Sequence, residues 1–155
     1  MVIRVQTEDF DVGSELAQLR AGNPKIGAIA SFIGLVRDLN ENAEISEMIL
    51  EHYPAMTQKS LEGIVADAKK RWNIYDALVI HRVGKLVPAD QIVLVAVTSS
   101  HRGEAFAACE FIMDYLKTQA PFWKKEQTTS GSRWVDSRES DDKAAQRWET
   151  KIESK

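Results

Sequence analysis

The β-rich segments of this 155-residue chain come in pairs, and the helical segments fall between the pairs. That order does not fit the one-strand, one-helix alternation of a doubly wound parallel fold. It points to an α+β architecture, a largely antiparallel or mixed sheet with helices packed on it. Residues 2–6 (VIRVQ) alternate as a short strand, Ser14 precedes E-L-A-Q-L-R-A as an N-cap, and Gly22-Asn23-Pro24 stops that first helix. I-G-A-I-A-S-F-I-G-L-V (26–36) is apolar at nearly every position and reads as a central strand covered on both faces, its glycines allowing close backbone approach. I-S-E-M-I-L-E-H-Y (45–53) follows a polar turn, so 26–53 is predicted to be an antiparallel hairpin.

Pro54 suits a helix start, and Met56, Leu61, Ile64, Val65, Ala68 and Trp72 recur on one helical face, predicting a second helix over 54–72. Residues 75–83 and 91–100 are strand-like runs joined by G-K-L-V-P-A-D, a second expected hairpin. Ala105, Phe106, Cys109, Ile112, Met113 and Leu116 define a third helix that must end before Pro121. F-W-K-K-E-Q-T-T and R-W-V give two short final strands, and a charged, helix-prone arm from Asp136 carries Trp148, which is expected to pack on its own domain. One domain over 1–155 is expected, with 136–155 as its charged C-terminal arm.

Composition narrows the function classes. Hydrophobic residues at 44% and charged residues at 28% are too apolar for a disordered chain, and a net charge of -3 gives no global pull toward nucleic acid or anionic membrane. Any anion site must therefore be a local cluster. The single cysteine, Cys109, forbids an internal disulfide, and its place in an apolar helical pattern reads as a small buried hydrophobe before a nucleophile. No segment has the length and apolarity of a membrane span and the N-terminus lacks a secretory pattern, so a reducing cytoplasm is expected. The three histidines, 52, 81 and 101, have no ligand spacing, and phosphate-loop, dinucleotide and zinc-protease motifs are missing, so neither metal nor cofactor is expected.

Three local features could carry chemistry. Arg37 directly follows the apolar strand, either as a functional cation or as the chain meeting solvent. T-S-S-H-R-G-E-A-F (98–106) leads a strand into a helix N-terminus, which either binds an anion with Ser100, His101 and Arg102 or is merely capped by a serine. The third is D-Y-L-K-T-Q-A-P-F-W-K-K-E (114–126). Lys117 there lies in the last helical turn, and strand alternation puts Phe122, Lys124 and Glu126 on one face and Trp123, Lys125 and Gln127 on the other. Lys124 and Lys125 cannot both face one pocket, and a lysine held among aromatics and cations could act as a base, while a solvated one would not.

The combination F-I-G-L-V-R-D-L-N, H-R-V-G-K-L, S-S-H-R-G-E-A-F-A-A-C, L-K-T-Q-A-P-F-W-K-K-E and R-W-V-D-S-R-E-S-D resembles, in order over nearly the whole chain, the catalytic (large) subunit family of molybdopterin synthase. The resemblance implies an α+β "hammerhead" fold and a sulfurtransferase that converts cyclic pyranopterin monophosphate to molybdopterin. Sulfur would come from the C-terminal glycine thiocarboxylate of a small ubiquitin-like subunit, and a homodimer of the large subunit would form the core of a heterotetramer. Carried over residue by residue, it implies substrate contacts at Leu35, Val36, Arg37, His101, Arg102, Lys117, Lys124, Lys125 and Glu126. Lys117 and Lys124 would be the catalytic pair, and Arg138 would reach the pocket from the neighbouring protomer. On this reading Arg37, His101, Arg102 and the third helix's N-terminus hold the phosphate beside the lysines. Pro88-Ala89-Asp90 departs from the family's usual glycine-acid turn.

Overall fold

A computed structural model describes residues 1–40, 43–128, 131–135 and 139–153. The elements run β1 (Val2–Gln6), α1 (Val12–Arg20), β2 (Ala28–Leu35), β3 (Leu39–Asn40), β4 (Ala43–His52), α2 (Pro54–Arg71), β5 (Ile74–Arg82), β6 (Gly84–Leu86), β7 (Gln91–Ser99), α3 (Arg102–Gln119), β8 (Phe122–Thr128), β9 (Gly131–Val135) and α4 (Glu139–Glu153). The α+β expectation holds, but the strands form two sheets. One has the order β1-β5-β7-β2, with β1 parallel to β5 and the other pairs antiparallel. The other has the order β3-β4-β8-β9, with β6 also pairing β4.

The expected 75–100 hairpin is present as β5 and β7, which pair antiparallel with Ile80 opposite Leu94. The expected 26–53 hairpin is not. Strand β2 pairs with β7, Ile33 opposite Leu94, while β4 pairs with β8 in the second sheet. The physical reason lies in the side chains: β4 buries Met48 and Leu50 and exposes Glu51, a one-sided strand, whereas β7 is buried along most of its length and completes its ladder with the apolar β2. Nor is β2 central. It ends the first sheet, and Phe32, Ile33 and Leu35 are exposed on it. Close approach does occur at Gly27, just before β2, where a Cβ would stand 2.1 Å from the Ser100 carbonyl oxygen.

Helices cover both faces of the first sheet. Leu61, Ile64, Val65 and Ala68 of α2 and Ala105, Ala108, Phe111 and Ile112 of α3 pack on Ala77, Val79, Val95 and Val97. On the opposite face α1 leans Leu16 and Leu19 against Leu78, Ile80, Leu94 and Ala96. The start of α1 is three residues earlier than expected: Asp11 is the N-cap, its carboxylate accepting from the Ser14 amide at 2.9 Å. The expected apolar faces of α2 and α3 hold except at Met56 and Phe106, which are exposed, while Thr57 and Phe111 are buried in their stead. Trp148 of α4 is buried in the same core, edge-on to Trp72 and Phe111, so the arm does pack on its own chain.

Candidate functional site

A cavity of about 820 Å³ opens where the two sheets meet the C-terminal end of α3. Its walls come from the end of β2 through Arg37, the last turn of α3, strands β4, β8 and β9, and Asp141 of α4. Backbone irregularity aims the first wall. The β2–β7 register shifts between Gly34 and Leu35, a bulge that turns the following residues out of the ladder. Val36 is then held by the 87–90 turn, donating its amide to the Asp90 carbonyl at 3.0 Å and accepting from Ala89 N at 2.8 Å. That turn closes with Asp90 N to Val87 O at 3.0 Å, Pro88 at its second position and Ala89 at φ 79 in its third. A positive φ at the third position is the type II pattern, which favours glycine. Pro88-Ala89-Asp90 therefore keeps the turn with an alanine in the strained place, and the Val36 contact survives. Arg37 follows, exposed, at the cavity mouth.

Helix α3 ends at Gln119 with Lys117 exposed in its last turn, where the helix dipole favours a cation. Strand β8 contributes Phe122, Lys124 and Glu126, which share one face by strand alternation, and Trp123 of the other face also borders the cavity. Lys125 points the other way, its Nζ 5.7 Å from the ring centre of Trp134, its cross-strand neighbour. Glu126 is buried and lies 3.4 Å from the Arg133 guanidinium on β9. Three cations, Arg37, Lys117 and Lys124, thus line one cavity with Leu35, Val36 and Glu126. Arg138 lies outside the described residues.

His101 and Arg102 do not join them within one chain. They open α3, and fifteen residues of helix at 1.5 Å per residue put Arg102 about 22 Å from Lys117. Neither serine is the N-cap residue, and Ser99 Oγ accepts only a long bond from the His101 amide, at 3.5 Å. Ser99 Oγ donates to the Asn73 carbonyl at 2.7 Å, Ser100 Oγ is 2.7 Å from the Tyr75 hydroxyl, and His101, at the N-cap, makes no side-chain capping bond. Cys109 is the small buried hydrophobe that its pattern suggests. Its Sγ lies 3.7 Å from the Val95 carbonyl, and burial pushes the thiol up to about 12. Among the described residues no three His, Cys, Asp or Glu side chains converge as a metal site requires, and no helix is long and apolar enough to cross a membrane.

Residues 5–119 match the family described as MoaE protein. The chain belongs to the MoaE family. A relative from Ralstonia nicotianae, described as molybdopterin synthase catalytic subunit, is 69% identical over 94% of this chain and 83% of its own length. Among solved structures, the molybdopterin biosynthesis MoaE protein from Burkholderia ambifaria is 61% identical, with a TM-score of 0.82 over 95% of this chain and 97% of that one. Molybdopterin synthase from Staphylococcus aureus, at 30% identity, keeps a TM-score of 0.78 over 85% of this chain and 95% of that one. The MoaE fold therefore persists where most side chains differ.

One cavity residue of this MoaE-family chain lies outside the motifs that point to chemistry in the sequence. His81, at the end of β5, lines the cavity, is 5% exposed and stacks on Phe122 with ring centres 3.9 Å apart. Burial, with the positive charge of Lys117 nearby and against the hydrogen bond to the Arg82 carbonyl, pushes its pKa down to about 4 from an ordinary 6.5. Between those values the unfolded chain binds the proton that the folded ring refuses. This histidine's contribution is thus fully present above about pH 6.5 and is lost as pH falls toward 4, for a total of about 3 kcal/mol. Urea unfolding at pH 7 and pH 4.5 should show a loss of stability that is markedly smaller in His81→Phe. Equal losses in both proteins would remove His81 as the cause.

Proposed function

We propose that this chain is the catalytic subunit of a molybdopterin synthase, a cytoplasmic sulfurtransferase of molybdenum cofactor biosynthesis. Its substrate is cyclic pyranopterin monophosphate, and its sulfur donor is the C-terminal glycine thiocarboxylate of a small ubiquitin-like subunit. The observation that carries the reading is the convergence of Arg37, Lys117 and Lys124, from three separate elements, on one cavity large enough for a fused-ring pterin ligand. The names of the relatives at 69% and 30% identity agree with it.

The chemistry asked of the cavity follows from its residues. Arg37 binds the anionic phosphate, for which a guanidinium offers two parallel hydrogen bonds. Each sulfur transfer and the ring opening require proton movements beside the thiolated carbons, and the ammonium groups of Lys117 and Lys124 are the donors at hand. Once sulfur has left, Lys117 also attracts the terminal carboxylate of the spent partner. Leu35 and Val36 form the apolar wall beside Arg37, Glu126 fixes Arg133 behind the lysines, and Lys125 works from the rim.

His101 and Arg102, about 22 Å from Lys117 along α3, serve such a cavity only when brought by a second copy of the chain, and we assign Arg138 the same route. The exposed apolar edge of β2, which borders the cavity, supports a homodimer at the centre of a heterotetramer.

The test is reconstitution: purified chain, pyranopterin monophosphate and thiocarboxylated small subunit should yield the dithiolene product, and failure would refute the activity. Arg37→Ala should weaken substrate binding by about 10- to 100-fold, the worth of a charge-assisted hydrogen bond, with the product still formed at saturation. Unchanged affinity by calorimetry would take the phosphate away from Arg37.

A further inference from the structure

The cavity's named cations, Arg37, Lys117 and Lys124, can only donate hydrogen bonds, the buried carboxylate of Glu126 faces Arg133 at 3.4 Å, and the lining's other carboxylate, Asp141, stands on the α4 wall. A substrate whose heterocycle carries N–H groups needs an acceptor as well. His81 has the geometry of one. Its Nδ1 lies 2.8 Å from the Arg82 carbonyl oxygen, which can only accept, so Nδ1 carries the hydrogen. In the neutral ring that leaves Nε2 as a lone-pair acceptor. Among the described residues the Nδ1 bond is the hydrogen bond this ring makes, and the ring borders the cavity.

Two further contacts hold the ring in place. Phe122 lies parallel to it, 16° from coplanar, and the backbone bond to the next residue in β5 restricts its rotation. The low affinity for a proton noted above keeps Nε2 unprotonated at any ordinary pH. His81 also follows Ala77 and Val79 at two-residue spacing on the side of β5 that faces α2 and α3, so it belongs to the rigid core side of the sheet and not to a loop.

We infer that His81 is a substrate-positioning residue whose Nε2 accepts a hydrogen bond from a ring N–H of the pterin, setting the heterocycle's orientation while Arg37 holds the phosphate end. This rests on the proposed function. Arg37 and His81 then fix two ends of one ligand, and orientation of the carbons beside the lysines follows from the pair.

The test uses full-length chain labelled with ¹⁵N-histidine and titrated with cyclic pyranopterin monophosphate alone, so that no turnover occurs. The His81 Nε2 resonance should move on binding while Nδ1 holds its shift. His81→Phe, which keeps the stacked ring without the acceptor, should raise KM by about 10-fold with kcat changed far less, the worth of one neutral hydrogen bond. His81→Gln, which restores an acceptor, should recover part of that loss. An Nε2 resonance that stays put at saturating substrate overturns the inference, as does wild-type affinity in His81→Phe. If the wild-type chain binds no pyranopterin monophosphate, the functional reading itself fails and this inference falls with it. If it binds in an Arg37-dependent way with Nε2 unmoved, only the role of His81 fails.

Discussion

Lys117→Ala should slow dithiolene formation by ~10²–10⁴-fold, the usual weight of a positioned proton-transfer group, while leaving the fold nearly untouched. The two halves of that expectation have separate grounds. Lys117 is exposed, lines the cavity and sits in the last turn of α3, where its favourable interaction with the helix dipole is worth at most about 1 kcal/mol. Its aliphatic stem is no part of the core, so no cavity opens inside the protein when it is cut back. Single-turnover assays with thiocarboxylated small subunit read the rate, and a thermal melt reads the fold. Lys117→Arg separates the two duties assigned to the residue. If Lys117 serves mainly as a fixed positive charge against the spent partner's carboxylate, arginine should restore most of the rate. If it passes a proton, arginine should not, because a guanidinium does not deprotonate in the working range. A wild-type rate in Lys117→Ala would remove the residue from the chemistry and leave Lys124 as the proton donor.

How far the site could be read from the sequence depends on which physical signal carried it. The division of Lys124 from Lys125 followed from the two-residue period of a strand, a local rule: Lys124 lines the cavity and Lys125 does not, although Trp123 and Trp134 on the face of Lys125 also border it. The meeting of Lys117 with Lys124 and Arg37 is not local. It depends on β8 crossing to the second sheet after α3 and on β2 ending at the same place, and only the family resemblance suggested it. Strand partnership failed for a related reason. The 26–36 run is apolar on both sides because Ala30 faces the α2 and α3 core and Ile29 the α1 core, and hydropathy alone cannot distinguish that from a central strand. The neighbour in sequence, β4, looked like the partner, while the true one, β7, lies more than fifty residues on. His81 left a weak trace: two-residue alternation from Ala77 and Val79 already put it on the buried face, and a histidine there asks for an explanation.

Trp148→Ala should cost about 3–5 kcal/mol of stability, seen as a fall in Tm of about 6–20 °C for a domain of this size. Helix α4 is mostly charged, E-S-D-D-K-A-A-Q-R-W-E-T-K-I-E, and among its described side chains Trp148 and Ala145 are the buried apolar ones. The indole stands edge-on to Trp72 at 5.4 Å and to Phe111 at 5.7 Å, and its Nε1 donates to Asp114 at 2.7 Å. The Arg71 guanidinium donates to the Trp148 carbonyl at 3.3 Å, and Arg147 pairs with Glu110 and Asp114. Those ion pairs are half-exposed and add little by themselves, so the aromatic contact is what docks the helix. Trp148→Phe keeps much of the bulk and loses the Nε1 donor, and should be destabilised by only about 1–2 kcal/mol. Because α4 also brings Asp141 to the cavity wall, its release should raise the substrate KM in Trp148→Ala even at temperatures where the rest of the protein is folded. Hydrogen exchange distinguishes the routes. Fast exchange confined to α4 amides with a modest fall in Tm means the arm undocks as a unit, whereas faster exchange throughout α2 and α3 means Trp148 is integral to the main core. Wild-type protection in α4 with an unchanged Tm would mean that the ion pairs, and not the indole, hold the arm.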